Sequence, residues 1–295
     1  MIFSATMKKI LVLTDFSQNS INAYGYAVKM ACQLKAEILL LFSTNGAPLS
    51  LTNQLQYSQQ LHSFAKRYAC DTRRQMNPHH TECLISGDAW TSLLPTMSAV
   101  HNPDLIIAGS ELLAAIEAKG QSLPLEQLAG SPILWVPGKA QYQPVKHLVF
   151  VTDFTDQDPE VVEMVKAYAQ AFEAEVSPVH FYPSAERAPL VEIKKQGAEL
   201  NWVLGSNCNC RMLEEEDMME GLQEYAEQYP VDLFLIATRD THLTQQYLNQ
   251  TYRKTDACQT SIPLLNLYQA KKKPCAGSCF HCQQHEKQAE TEIMA

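Results

Sequence analysis

The chain is 295 residues long, with 46% hydrophobic residues, 19% charged residues and a formal net charge of −9. That length suits two domains, and either half can bury a core of its own. The acidic balance repels nucleic acid, and the one basic run, Lys271-Lys272-Lys273, reads as solvated surface. No run of about 18 apolar residues occurs, so no membrane-spanning helix is expected. Met1 to Met7 lacks the charged start and apolar stretch of a leader peptide. A cytoplasmic location is the expectation, with the cysteines reduced or metal-bound rather than paired.

The sequence repeats itself. Lys8-Lys9-Ile10-Leu11-Val12-Leu13-Thr14-Asp15-Phe16-Ser17 is echoed by Lys146-His147-Leu148-Val149-Phe150-Val151-Thr152-Asp153-Phe154-Thr155. The same offset pairs Ala36-Glu37-Ile38 with Ala174-Glu175-Val176. A register held over that distance implies one fold used twice.

In chain order, the apolar run Ile10–Leu13 reads as a strand covered on both faces. Asp15 and Ser17 follow as caps of a helix with Ile21, Tyr24, Ala27, Val28 and Ala31 on one stripe. Then come a strand at Ile38–Phe42, a helix from Leu55 to Arg74, a strand at Glu82–Ile85 and a helix carrying Trp90, Leu93, Leu94 and Met97. Strands at Leu105–Ala108 and Pro132–Val136 complete the first half. The second half offers strands at Leu148–Val151, Val176–Phe181, Cys210–Leu213, Leu233–Ala237 and Pro263–Leu267. Its helices carry Val161, Val165, Tyr168 and Phe172, and later Leu222, Tyr225 and Ala226. Strands alternating with helices imply parallel sheets with helices on both faces and right-handed crossovers. Pro137 to Pro144 reads as a linker, and residues beyond about Tyr268 show no periodicity.

These segments resemble the universal stress protein family. Ile10–Ser17 is similar to the family's opening strand and turn, Asp104–Ser110 to its fourth strand and nucleotide loop, and Pro132–Val136 to its last strand. Asp232–Thr238 and Pro263–Leu267 repeat the last two features. The resemblance covers residues 7–138 and 145–268, leaving 1–6 as an extension and 269–295 as a cysteine-rich polar tail. It implies two tandem Rossmann-like α/β domains of the adenine nucleotide alpha hydrolase type, each a five-stranded parallel sheet with helices on both faces. Paired last strands would make an internal pseudo-dimer; a homodimer of the whole chain is left open. The role implied is stress-response binding through an unidentified protein partner.

The family's ATP site is the next expectation to weigh. By resemblance, Thr14 and Asp15 would face the nucleoside, and Gly87, Gly109, Ser110, Gly120 and Ser122 would supply the first half's glycine-rich loops. Phosphate binding needs bare backbone N–H groups, and a Cβ hinders their approach. Leu112 replaces the second loop glycine, and Glu111 adds a negative charge. In the second half, Thr238-Arg239-Asp240 carries no glycine and Asn249-Gln250-Thr251 replaces Gly-Ser. The run Glu214-Glu215-Glu216-Asp217 would also oppose a polyphosphate. ATP binding is therefore not expected in the second half and is weak or absent in the first. Asp15 and Asp153 also serve as plain helix caps on this reading.

The tail holds Cys275, Cys279, Cys282 and His285 within eleven positions, with His281 as a competing ligand. Thiolates and imidazole suit Zn²⁺, and thiolates alone suit an iron–sulfur cluster; free or redox-sensitive thiols are the alternatives. Cys208, Cys210, Cys32, Cys70, Cys83 and Cys258 read as core or loop thiols. No Gly-x-Ser-x-Gly, Walker loop or His-Glu-x-x-His occurs. His79-His80 lies in a loop, and His147 and His180 lie in strands. A binding protein, not an enzyme, is the expectation.

Overall fold

The computed structural model describes residues 7–72, 81–117, 122–152, 158–182, 184, 194–195, 197–200, 204–205, 210–238, 244, 247 and 261–269. The first half runs β1 (Lys9–Thr14), α1 (Gln18–Leu34), β2 (Glu37–Ser43), α2 (Leu51–Thr72), β3 (Thr81–Ser86), α3 (Trp90–His101), β4 (Leu105–Gly109), α4 (Ser110–Glu117) and β5 (Ile133–Val136). A short 3-10 turn, Leu125–Leu128, precedes β5. The second half runs β6 (His147–Val151), α5 (Pro159–Phe172), β7 (Glu175–Tyr182), β8 (Arg211–Glu214), α6 (Met218–Gln228), β9 (Leu233–Thr238) and β10 (Leu264–Tyr268).

Local chemistry sets the helix ends. Ser17 Oγ accepts the amide of Ser20 at 3.1 Å and opens α1, which ends where Lys35 turns left-handed at φ 56°. Ser50 Oγ accepts the amide of Asn53, so α2 begins a turn ahead of the expected Leu55. Asp158 caps α5, and Pro159 occupies its first turn, where the missing N–H costs nothing.

All ten strands join one sheet, ordered β3-β2-β1-β4-β5-β10-β9-β6-β7-β8. Within each half the neighbours are parallel; only β5 and β10 meet antiparallel, with Leu265 opposite Leu134. The order read inward from β3 equals the order read inward from β8. The two five-stranded sheets expected from sequence are thus fused edge to edge, because the final strand of each half finds its open edge matched by the other. β5 and β10 are buried apart from Tyr268, as strands with neighbours on both sides must be.

One apolar layer runs the length of the sheet on the α1 and α5 face, joining Ile10, Val12 and Leu40 to Phe150, Val165 and Leu235. On the other face, α3 and α4 cover the first half with Leu94, Leu113 and Trp135, and α6 covers the second with Leu222 and Phe234. The expected linker is tied down. Asn22 Nδ2 donates to the carbonyls of Pro137 and Ala140 at 3.1 and 3.0 Å, and the rings of Tyr26 and Tyr142 meet edge to face. Among the described residues, no helix is long and apolar enough to cross a membrane.

Candidate switch-point crevice

In an open α/β sheet, the crevice for a ligand lies at the strand carboxyl ends where the strand order reverses. In the first half this point lies between β1 and β4. The chain brings Thr14 and Asp15 to it from one side and Gly109 and Ser110 from the other, because β1 and β4 pair in register, Val12 opposite Ile107.

Each of these groups already has a partner from the chain itself. Thr14 is fully buried, with Oγ1 3.1 Å from Ser20 Oγ, and it accepts the amide of Phe16. Asp15 is exposed, and its carboxylate accepts the amide of Ser17 at 2.9 Å. Phe16, between them, is held at φ 63° in the left-handed region, which a bulky side chain rarely adopts. Ring packing on Phe42 and Phe64, at centroid distances of 4.7 and 5.8 Å, offsets that strain.

Asn19 decides what the crevice can hold. It is buried on the first turn of α1, and its Oδ1 accepts the amide of Glu111 at 3.0 Å. Its Nδ2 donates to Ser110 Oγ at 3.4 Å. That Glu111 amide is one of the free donors that a helix N-terminus offers an anion. The neutral carboxamide of Asn19 takes the place an anion oxygen would need. Gly109 is required here for packing. A Cβ on it would collide with the Asn19 side-chain oxygen and lie 2.9 Å from the carboxamide carbon.

The expected glycine loop is also not a loop. β4 passes directly into α4 at Ser110, and Leu112, which stands where the second glycine would, is buried in the core under the sheet. Ser122 is exposed, and Gly120 lies outside the described residues. Gly87 ends β3, three strand spacings from β4, or about 14 Å. Its carbonyl accepts the amide of Gly46 at 3.0 Å and the hydroxyl of Thr44 at 3.4 Å, which ties the loop after β3 to the loop after β2. Thr14, Asp15, Gly109 and Ser110 are therefore brought together, and Gly87 is kept apart.

In the second half, Asp153, Arg239, Asp240 and residues 249–251 lie outside the described residues. Thr238 ends β9, and its hydroxyl donates to Asn266 Oδ1 at 3.1 Å; Asn266 Nδ2 donates to Thr244 Oγ1 at 2.8 Å. All three side chains are buried. Of the acidic run, Asp217 caps α6 by accepting the amide of Met219, and Glu216 accepts the amide and hydroxyl of Ser184.

The remaining candidates sit in structural places. His147 Nδ1 lies 3.1 Å from Asp232 Oδ2 at the start of β6. His180 is buried in β7, its Nδ1 3.2 Å from the carbonyl of Thr152. Burial pushes the thiols of Cys32 and Cys83 up, and that of Cys210 to about 12. Cys70 and Cys208, Cys258, His79, His80 and the tail set Cys275, Cys279, Cys282 and His285 lie outside the described side chains. Among the described residues, no cluster of three or more His, Cys, Asp or Glu is placed to hold a metal ion. Asn19 was missed in the sequence reading; the available signal was an amide lying one helical turn before Ala23, on the stripe that α1 buries.

No protein-family model and no curated protein matches the sequence. Solved structures do. A universal stress protein from Archaeoglobus fulgidus superimposes with a TM-score of 0.58 at 14% identity, covering 90% of this chain and 98% of its own. A candidate universal stress protein from Pseudomonas aeruginosa gives 0.55 at 14% identity, covering 90% and 94%. A Pseudomonas aeruginosa protein of unknown function gives 0.51 at 12% identity, covering 98% of both chains. At such identities the likeness speaks for the fold, and the fold this chain shares is that of universal stress protein structures.

Proposed function

We propose that this chain is a universal stress protein built from two tandem domains, residues 7–138 and 145–268. On this reading it acts in the cytoplasm by binding a protein partner, without catalysis and with weak or no affinity for ATP. The fold shared with universal stress protein structures supports the class. One observation carries the loss of nucleotide affinity: the Asn19 carboxamide is already bonded to the Glu111 amide at the switch point. Calorimetric titration of the full chain with Mg-ATP tests it. The expected result is no saturable heat below about 1 mM. A micromolar Kd that survives Asp15→Ala in the second half's favour, or is lost with it in the first half's, would overturn the proposal.

The spacing of Cys275, Cys279, Cys282 and His285 supports a second reading, a metal or cluster site in the tail that reports on the two-domain body. Metal analysis of gently purified full chain, beside a chain ending at Gln269, tests it. About one metal per chain, lost on truncation, is expected. Metal well below that level, with all three thiols freely titratable, would end this reading.

A further inference from the structure

Among the described residues, three large hydrophobic side chains stand well clear of the core: Leu51 at 81% exposure, Leu55 at 68% and Val100 at 69%. All three lie on α2 and α3, the helices before and after β3 in the chain. These helices cover opposite faces of the sheet at its β3 end. α2 buries Leu61 and Ala65 with Leu40 and Phe42, whereas α3 buries Leu93 and Leu94 with Leu39 and Leu41. β3 is the outermost strand there, and Cys83, Leu84 and Ile85 remain partly exposed.

The same end is almost free of charge. Between Glu37 and Lys66, and again between Asp88 and Asp104, the sequence has no Asp, Glu, Lys or Arg. β3 itself adds only Glu82. The far end of the sheet is the opposite: β8 runs into Glu214, Glu215, Glu216 and Asp217. α6, which holds in the second half the place of α3, carries Glu220, Glu224 and Glu227. Two equivalent ends of a repeated fold thus differ sharply, one apolar and neutral, the other acidic.

We propose that the β3 end is the face through which two copies of this chain associate, about a two-fold axis that leaves the acidic β8 ends outermost. Interface centres are depleted in charge, and a chain of net charge −9 meets its own like charge on most other approaches. The neutral end is where two copies meet with least repulsion, and Leu51 and Leu55, one turn apart, supply the apolar contact. A basic partner would be drawn to the β8 end instead. The patch is narrower than a standard interface, so the dimer is weak and reversible.

Sedimentation velocity of the full chain from about 5 to 500 µM tests this, the range in which a weak dimer populates. A dimer fraction that grows with concentration is expected, and added salt strengthens it by screening the repulsion between the two bodies. Leu51→Glu with Leu55→Glu weakens association at least about tenfold, as does Val100→Glu on the other helix. These side chains already face solvent, so folding is retained, and circular dichroism melts verify it. Met212→Glu, at the β8 end, leaves association unchanged. A chain that stays monomeric throughout, a dimer indifferent to the Leu51 and Leu55 changes, or a dimer lost with Met212→Glu would overturn the proposal.

Discussion

Asp104 and Asp232 do the same work in the two halves. Asp104 Oδ2 accepts the amides of Lys8 and Lys9 at 2.8 and 3.0 Å, and Asp232 Oδ2 accepts those of Lys146 and His147, both at 2.8 Å. Each carboxylate clamps the entry of the central strand of its half to the strand that follows in the sheet. Charge-assisted bonds of this kind contribute about 1.5–3 kcal/mol where the acceptor is shielded. Asp104→Ala and Asp232→Ala are therefore each expected to destabilise by about 2 kcal/mol. Chemical denaturation measures this, and a change under about 0.5 kcal/mol in either variant would contradict it.

Gly109 and Asn19 form a pair whose effects do not add. Gly109→Ala pushes a methyl group into the Asn19 carboxamide, at an expected cost of about 1–3 kcal/mol. Asn19→Gly alone takes the partner from the Glu111 amide and costs about 1–2 kcal/mol, part of it helix propensity. In the double variant the clash is gone, so the total falls below the sum by about 1 kcal/mol or more. Strict additivity in denaturant titrations would mean that the two residues do not pack as described.

The alkaline side of the stability profile is set by buried tyrosines. Burial raises Tyr24 to about 12, and it raises Tyr26, Tyr142 and Tyr168 beyond that. The unfolded chain ionises these phenols near 10. Because the folded pKa is the higher one, the stabilising effect is complete below about pH 10 and is lost as pH rises toward 12. The melting temperature is expected to hold through pH 9 and to fall steeply above pH 10. Phenolate absorbance of the native protein lags that of the denatured chain. The two curves coinciding would show these phenols to be solvated.

The strands were legible because a strand covered on both faces reads as an unbroken apolar run, and Ile10–Leu13, Leu105–Ala108 and Leu233–Ala237 all do. The tandem repeat was legible through the two Thr-Asp-Phe turns. The fusion of β5 with β10 was not: Pro132–Val136 and Pro263–Leu267 read alike whether their free edges meet each other or a second chain. The fastening of the linker was also hidden, since it depends on Asn22 and Tyr26, which lie far from it in sequence. At the crevice, the missing glycines were visible but the reason was not. Leu112 is there to anchor α4 in the core, and Asn19 fills the space by a contact that only the folded geometry reveals.

Cys32, Cys83 and Cys210 make a test of packing that needs no substitution. Their thiols are raised by burial, Cys210 to about 12. Alkylation proceeds through the thiolate, so its rate follows the fraction ionised. At pH 8 these three sites are expected to stay unmodified by iodoacetamide in the folded protein over an hour and to react fully in denaturant. Peptide mass spectrometry resolves them from the other cysteines. Cys83 is the sensitive probe of the three: it lies on the edge strand β3, partly exposed, and Glu82 beside it adds a like-charge penalty to its thiolate. Should Cys83 label as fast as a free thiol while Cys32 stays protected, β3 would be opening at the sheet edge without global unfolding.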